Sequence, residues 1–117
     1  MGSKELAKKT CTPCAAGIAP MKGDALKEWE LQLGEGWAIV EEHHLEKEYR
    51  FKNFLQALEF TNDIGKIAEA EGHHPEITLS WGKVKVMIWT HKIGGLAAND
   101  FILAAKCDTA YLIRHGT

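Results

Sequence analysis

The chain has 117 residues, of which 45% are hydrophobic and 26% charged, and its formal net charge is −2. This composition is typical of a single globular domain and excludes the low-hydrophobicity, high-charge class of disordered proteins. Charges of both signs are scattered, and no apolar run reaches the roughly 20 residues of a membrane span, so we expect neither a nucleic-acid nor a membrane partner. The N-terminus lacks the apolar segment of a secretion signal, which predicts a cytoplasmic protein.

The first 23 residues are predicted to form a peripheral arm, either wrapped on the domain or partly disordered, and residues 24–117 the folded domain. The arm is rich in residues that interrupt regular structure. They are Pro13, Gly17, Pro20 and Gly23.

Three cysteines give an odd count and no disulfide framework, which fits a reducing compartment. Cys11 and Cys14 have CxxC spacing, with Cys107 far away in the chain. A zinc site would need two more ligands at matching spacing, and a redox motif needs a strand before it and a helix after it. We therefore expect a structural or incidental role for the pair.

The first predicted helix begins at Asp24, a residue type that caps helices, and ends at Gly34 and Gly36. Its apolar face is formed by residues at i, i+3 and i+7. These are Leu26, Trp29 and Leu33.

Two antiparallel strands with one buried face follow, joined near Glu41 to His44. Their apolar residues are Trp37, Ile39, Val40, Leu45, Tyr49 and Phe51. Because neighbouring strand residues point to opposite faces and the surroundings are rich in glutamate, we expect His43 and His44 to be exposed and without a catalytic role.

The longest helical pattern runs from the N-cap Asn53 to Gly72 at its C-terminus. Its apolar stripe consists of Phe54, Leu58, Thr61, Ile64 and Ala68. A second hairpin follows, with a turn at Gly82-Lys83. Alternating residues on its strands are Ile77, Leu79 and Trp81, then Val84, Val86, Ile88 and Thr90.

A final helix is predicted to have its first turn near Ala98 to Asp100. The element order is then αββαββα. This order predicts an α+β single domain in which three helices cover one face of a four-stranded antiparallel sheet.

Three histidines and one aspartate lie around the second hairpin and are the candidates for chemistry: His73, His74, His91 and Asp100. Gly72 releases the long helix just before His73, and Thr90 precedes His91 at the end of the last strand, so both segments can reach one rim. Imidazoles titrate near neutrality, so this set can supply a proton donor and a proton acceptor at the same pH. Asp100 can orient one ring.

Three histidines and a carboxylate also form a plausible zinc or iron set. Adjacent His73 and His74 rarely both reach one metal, and i, i+4 or i, i+2 spacing is absent, so we expect no metal. A simpler interpretation is that one histidine packs in the core and the others lie on the surface. No GxSxG, GxGxxG or GxxxxGK motif supports nucleophilic or phosphate-transfer chemistry. The tryptophans offer stacking surfaces for a flat heterocycle. They are Trp37, Trp81 and Trp89.

Several motifs of the chain closely resemble those of the pterin-4a-carbinolamine dehydratases, in particular their microbial and plant-type branch. The resembling segments are His73-His74-Pro75-Glu76, Thr90-His91, Gly94-Gly95-Leu96 and the stretch from Asn99 to Lys106. Gly36-Trp37, Phe51-Lys52-Asn53-Phe54 and the Cys11-to-Cys14 arm are similar as well. The resemblance covers nearly the full length.

The resemblance implies a dehydratase without metal or cofactor, which removes water from 4a-hydroxytetrahydropterin to give the quinonoid dihydropterin and so recycles the cofactor of aromatic amino acid hydroxylases. His73 and His91 match the acid–base histidines, and His74 matches the one that binds and orients the pterin. Asp100 matches a site carboxylate and Trp37 a pocket wall. Further substrate contacts are expected from Gly72, Pro75, Trp89 and Thr90. Ala97 stands where the family commonly has Thr or Ser, which weakens that helix cap.

Two other functions stay open at this point. One is a non-catalytic pterin-binding accessory protein, for example in molybdopterin metabolism. The other is a protein-interaction or coactivator module, as animal members of the family also serve. Family members form dimers or tetramers, so we expect a homodimer or homotetramer.

Overall fold

The computed structural model describes residues 2–11 and 19–115. The helices are α1 (Gly2–Ala7), α2 (Asp24–Glu30), α3 (Phe54–Glu71) and α4 (Ala98–His115). The strands are β1 (Ala38–Val40), β2 (His44–Arg50), β3 (Glu76–Ser80) and β4 (Lys83–Ile88), and a 3₁₀ turn spans His91–Ile93. Apart from α1 and the 3₁₀ turn, this is the predicted order αββαββα.

The four strands form one antiparallel sheet in the order β1-β2-β4-β3. The central pair places Leu45 opposite Ile88 and Tyr49 opposite Val84, and all four of these side chains are buried. The residues that alternate with these on the same strands form a charged outer face, where Lys85 pairs with Glu46 at 3.5 Å. Helices α3 and α4 pack on the apolar face. The predicted α+β class, with helices on one face of the sheet, is therefore confirmed.

The long helix α3 has the two ends that were predicted. Asn53 is its N-cap, and the Asn53 side chain accepts the Gln56 N–H at 2.9 Å. Gly72 ends it with a φ of 65°, a left-handed conformation that glycine adopts without a steric penalty. The chain therefore turns sharply just before His73.

Two local predictions were wrong. Helix α2 is capped by Gly23, so Asp24 is its first helical residue, and the helix ends at Glu30, before Leu33. Trp81 and Gly82 form the turn between β3 and β4, and the Trp81 side chain is exposed instead of lying on a strand face. The strand pairing of Ser80 with Lys83 leaves only these two residues to make the turn.

The arm predicted for residues 1–23 begins with α1, which packs against α4. Its Leu6 is fully buried in the hydrophobic core. Part of the arm therefore packs on the domain, and the division of the chain after residue 23 stays a prediction. Pro13, Cys14 and Gly17 lie outside the described residues.

A buried carboxylate, Asp108, ties α4 to the sheet. It accepts hydrogen bonds from the Trp37 Nε1–H at 3.0 Å and the Tyr49 hydroxyl at 2.6 Å. The Lys47 ammonium adds an ion pair at 2.8 Å, so the charge of Asp108 is compensated inside the protein. Burial raises the pKa of the Tyr49 phenol well above its usual range, with the neighbouring Cys107 and Asp108 adding to the effect. Tyr49 therefore stays neutral and donates.

No helix in the described ranges 2–11 and 19–115 is long and apolar enough to cross a membrane.

We predict that Tyr49→Phe lowers the free energy of unfolding by about 2 kcal/mol, because it leaves a buried carboxylate with one donor fewer. Since the folded-state pKa of Tyr49 is raised, this contribution is fully present below about pH 10, the usual phenol value, and is lost only as the pH rises further. Urea unfolding at pH 7 measures it. Tyr111→Phe is the matched control, because the Tyr111 hydroxyl donates to the Arg50 carbonyl at an exposed position. We expect it to lose less than about 1 kcal/mol, and equal losses in both variants would contradict the prediction.

Candidate functional site

An open cleft of about 700 Å³ lies where the end of α3 meets the segment that follows β4. This volume is within the ~300–1,000 Å³ range of small-molecule sites. The cleft is lined by Cys11, Glu69, Ala70, Glu71, Gly72, His73, His74, Thr90, His91, Lys92 and Asn99. The three candidate histidines therefore share one cavity.

Two backbone features bring these segments together. On one side, Gly72 ends α3, and the His73 N–H still bonds to the Ala68 carbonyl at 3.2 Å, so His73 is attached to the helix end. On the other side, the Thr90 N–H donates to the Gly95 carbonyl at 2.8 Å and closes a tight loop. This loop presents His91 at the rim.

Asp100, in the first turn of α4, is the centre of the hydrogen-bond network at this site. Its Oδ1 lies 2.6 Å from Nε2 of His73, and its Oδ2 accepts the Thr90 hydroxyl and the Ala97 N–H, each at 2.8 Å. The side chain is fully buried. Thr90 and Ala97 both donate to it, and the helix N-terminus favours a negatively charged side chain at this position.

The weakened cap predicted at Ala97 does not displace Asp100. The Asp100 carboxylate accepts the Ala97 N–H, while the Asp100 N–H donates to the Ala97 carbonyl at 3.0 Å. This is the return half of a capping box, made by a residue three positions into the helix. The first turn of α4 is thus fastened without a Ser or Thr cap.

The other two histidines are held differently from His73. His74 lies at the surface with its Nε2 2.5 Å from Oε2 of Glu69, one turn back on α3. The exposed His91 ring stacks on the indole of Trp89, with ring centroids 4.4 Å apart and an interplanar angle of 18°. Among the described residues, no hydrogen bond holds the His91 ring.

The N-terminal arm reaches the cleft through Cys11. The Cys11 N–H donates to Oε1 of Glu71 at 2.7 Å, and Oε2 of Glu71 lies 3.6 Å from the Lys106 ammonium. Lys106 also donates to the Ala7 carbonyl at 2.7 Å. The carboxylate at the end of α3 thus links the arm to α4 beside the histidines.

Most of the amino-acid sequence matches one known protein family. A family model described as "Pterin 4 alpha carbinolamine dehydratase" matches residues 19–110. The chain belongs to the pterin-4-alpha-carbinolamine dehydratase family. The predicted resemblance to this family is thereby confirmed.

Several members of the family are similar over most of their length. A member of this family from Alkaliphilus metalliredigens is 53% identical over 103 residues, covering 88% of this chain and 93% of the relative. Another from Rubrobacter xylanophilus is 48% identical over 104 residues, covering 89% and 96%. A crystal structure of a transcriptional coactivator/pterin dehydratase from Brucella melitensis has a TM-score of 0.73 at 26% identity, covering 79% of this chain and 98% of that one.

Most of the site residues predicted from the sequence lie at the cleft. The lining includes Gly72, His73, His74, Thr90 and His91. Asp100 lies beneath it and reaches it through His73 and Thr90. Their roles toward a substrate stay predictions.

Three predicted substrate contacts do not line this cleft: Trp37, Pro75 and Trp89. Trp37 is buried and directed to Asp108, so it is not a wall of this cavity. Trp89 follows β4 on the outer face of the sheet and supports His91. Trp37 therefore lies outside this cleft, and Trp89 packs against His91 without lining the cleft itself.

The prediction that His43 and His44 are solvent-exposed was wrong. Both rings are half-buried because both contact Trp89, with centroids 5.2 Å and 5.9 Å away. The register explains the contact. Leu45 and Ile88 are paired and point to the core, so the preceding His44 and the following Trp89 come together on the other face.

Some lining residues were missed in the sequence, notably Cys11, Glu69, Glu71 and Asn99. The two glutamates could have been found, because carboxylates directly before a histidine doublet at a helix end are candidates for orienting it. Cys11 could not, since its contacts are 60 and 88 residues away in the chain.

No group of three or more His, Cys, Asp or Glu side chains within the described ranges is placed to hold a metal ion. Two of the histidines have carboxylate partners within hydrogen-bond distance. The arrangement instead suits proton transfer.

We predict that Cys11 reacts slowly with iodoacetamide. Burial, and next the Glu71 carboxylate, raise the pKa of its thiol to about 12. At pH 8 much less thiolate is then present than for a free cysteine, whose pKa is about 8.5. In a Cys14→Ser background we expect alkylation at least about tenfold slower than in the urea-unfolded chain, measured by mass spectrometry of the Cys11 peptide.

Glu71→Gln should accelerate this alkylation several-fold, because it removes the charge that disfavours the thiolate and weakens the anchor of the arm. Glu69→Gln is the control, since Glu69 lines the same cleft but pairs with His74. Equal rates in the two variants would show that Glu71 does not hold Cys11.

Proposed function

We propose that this chain removes water from a 4a-hydroxytetrahydropterin to give the quinonoid dihydropterin, using its cleft histidines as acid and base. The observation that carries the proposal is the buried Asp100 carboxylate, which joins His73 and Thr90 under a cleft that also contains His74 and His91. Family membership supports the reaction, and this geometry supports the assignment of roles.

The reaction needs one proton donor and one proton acceptor. The C4a–O bond breaks as the 4a-hydroxyl takes a proton and leaves as water. The N5–H bond breaks as its proton passes to a base, and its electron pair forms the N5=C4a double bond. Two imidazoles on opposite sides of the ring can supply both transfers at neutral pH.

We assign the base to His73. Its Nε2 faces an acceptor-only carboxylate, so Nε2 carries the hydrogen and Nδ1 keeps the lone pair in the neutral ring. The same carboxylate stabilises the imidazolium that forms when Nδ1 takes the N5 proton. Asp100 can do this because Thr90 and Ala97 hold its other oxygen.

We assign the acid to His91 and substrate orientation to His74. His91 is exposed at the rim, so it can be reprotonated from solvent after each turnover. His74 is paired with the exposed Glu69 carboxylate, which holds one ring nitrogen and leaves the other for the pterin. Gly72 leaves room beside these rings because it has no side chain, and Lys92 and Asn99 add polar groups to the lining.

Self-association is part of the proposal. Large apolar side chains are exposed on α3 and near the C-terminal end of α4, and Arg114 bonds to Asp63 and so joins these two helices. The exposed residues are Phe54, Leu55, Leu58, Leu112 and Ile113. A homodimer or homotetramer would cover them. The cytoplasmic location and the absence of a nucleic-acid partner stay predictions from the sequence.

We predict that the protein accelerates the decay of enzymatically generated 4a-hydroxytetrahydropterin, followed by stopped-flow absorbance. His73→Gln and His91→Gln should each lower kcat/KM by about 10²–10⁴-fold, because each removes one proton-transfer group. His74→Gln should act mainly on KM, since its role is orientation.

The measurement is made in parallel with EDTA and with added zinc. We expect equal rates in both, because the proposed chemistry uses only side chains. Full activity in both His73→Gln and His91→Gln would overturn the acid–base assignment, and loss of activity with EDTA would indicate a metal site. Tight pterin binding without acceleration would favour the accessory-protein function instead.

A further inference from the structure

We propose that Trp89 is a positioning residue for His91, and that the His43–His44 pair holds Trp89 in place. The inference rests on the proposed function, because it explains how the exposed acid of that reaction is aligned. It also gives a role to a histidine doublet that the catalytic cleft does not include.

The first step concerns what fixes the His91 ring. His73 and His74 each have a carboxylate partner, whereas His91 has only the face of the Trp89 indole among the described residues. Trp89 and His91 flank Thr90, whose backbone is extended, so their side chains lie on the same side. Thr90, between them, points inward to Asp100. The backbone alternation therefore directs Thr90 to the carboxylate and His91 to the indole.

The second step concerns what the stack does. Nearly parallel rings at 4.4 Å restrict rotation of an otherwise exposed imidazole and leave its ring nitrogens at the edge, open to substrate. The π-face of an indole also attracts a cation, which suits a ring that must donate a proton. Restricting the acid to one orientation before substrate arrives lowers the entropic barrier of the transfer.

The third step concerns what supports Trp89. The rings of His43 and His44 contact it and are joined to each other by a hydrogen bond between their Nδ1 atoms at 3.1 Å. His44 also lies near Glu46, whose Oε1 is 3.5 Å from its Nε2. The indole thus contacts three imidazoles, and two of them belong to another strand and its turn.

The turn that carries His43 has an unusual backbone. Glu41 and Glu42 both have left-handed φ values, 53° and 55°, which non-glycine residues adopt at a cost. Such a conformation persists only when the surroundings stabilise it. Packing of His43 on Trp89 and the hydrogen bond from the Gly23 N–H to Glu42 at 3.0 Å are contacts of this kind.

The test begins with a measurement that does not depend on activity. In ¹H–¹³C NMR spectra, the carbon-bound ring protons of His91 should be shifted upfield by the ring current of Trp89. We expect Trp89→Leu to abolish this shift and Trp89→Phe to keep part of it. An unchanged His91 spectrum in Trp89→Leu would overturn the inference, whether or not the protein proves to be a dehydratase.

The kinetic arm separates positioning from substrate binding. Trp89→Leu should lower kcat about tenfold with little change in KM, and Trp89→Phe should recover most of the loss. In a His91→Gln background, Trp89→Leu should have no further effect, because Trp89 acts only through His91. An equal loss in that background, or a loss confined to KM, would show that Trp89 contacts substrate directly and would contradict the proposal.

The support by the doublet is tested with His43→Ala. This residue lies outside the cleft lining and contacts Trp89, so we expect it to act on kcat through Trp89. We expect a two- to fivefold loss in the wild-type background, a partial loss of the upfield shift at His91, and no added loss in Trp89→Leu. Thermal unfolding of each variant shows whether it is folded, and a folded His43→Ala with unchanged kcat and His91 spectrum would remove the doublet from the proposal.

Discussion

The site depends on one buried charge, the carboxylate of Asp100. An ionised carboxylate without partners would be expensive in the interior, by several kcal/mol. Here three donors and a helix N-terminus offset that cost. Because the donors come from the end of α3, the segment after β4 and the start of α4, their relative positions are set before any substrate binds.

A second buried carboxylate acts on the same helix. Asp108 joins α4 to β2 and to the segment before β1, through Tyr49, Lys47 and Trp37. Between the two carboxylates, α4 is almost entirely apolar and buried. Because apolar contacts are non-directional, they stabilise the packing of α4 without selecting one alignment of the helix on the sheet. If α4 moved by one residue along its axis, both carboxylates would lose donors. We infer that the apolar stretch provides most of the stability and that the two aspartates determine the register of the helix.

Local signals in the sequence were sufficient for the helix and strand pattern. Asn53 and Gly72 mark the ends of α3, and the alternation in β4 identifies its buried face. These features depend on residues a few positions apart. The arm, in contrast, is held by Glu71 and Lys106, and Trp37 is directed to Asp108 71 residues away. No local pattern reports such contacts, so the resemblance placed Trp37 at a pocket that the fold builds without it.

The same distinction applies to the histidines. Their presence at one rim and the orienting role of Asp100 were predicted from the sequence, but the contacts of His74 with Glu69 and of His91 with Trp89 were not. The strand register brings His43 and His44 to Trp89, and register is a property of the paired strands, not of either strand alone. A doublet assigned to solvent from its own surroundings was therefore placed incorrectly.

The three orienting groups differ in how they respond to solvent, and this bears on the division of labour. The His74–Glu69 pair is exposed, so salt screens it and its geometry can adapt to a ligand. The His73–Asp100 pair is shielded from solvent, so salt affects its alignment less. The stack of His91 on Trp89 involves no formal charge on the indole and leaves the imidazole in contact with water. These differences match the proposed roles, in which the adaptable His74 orients the heterocycle, the shielded His73 accepts one proton and the solvent-exposed His91 delivers the other.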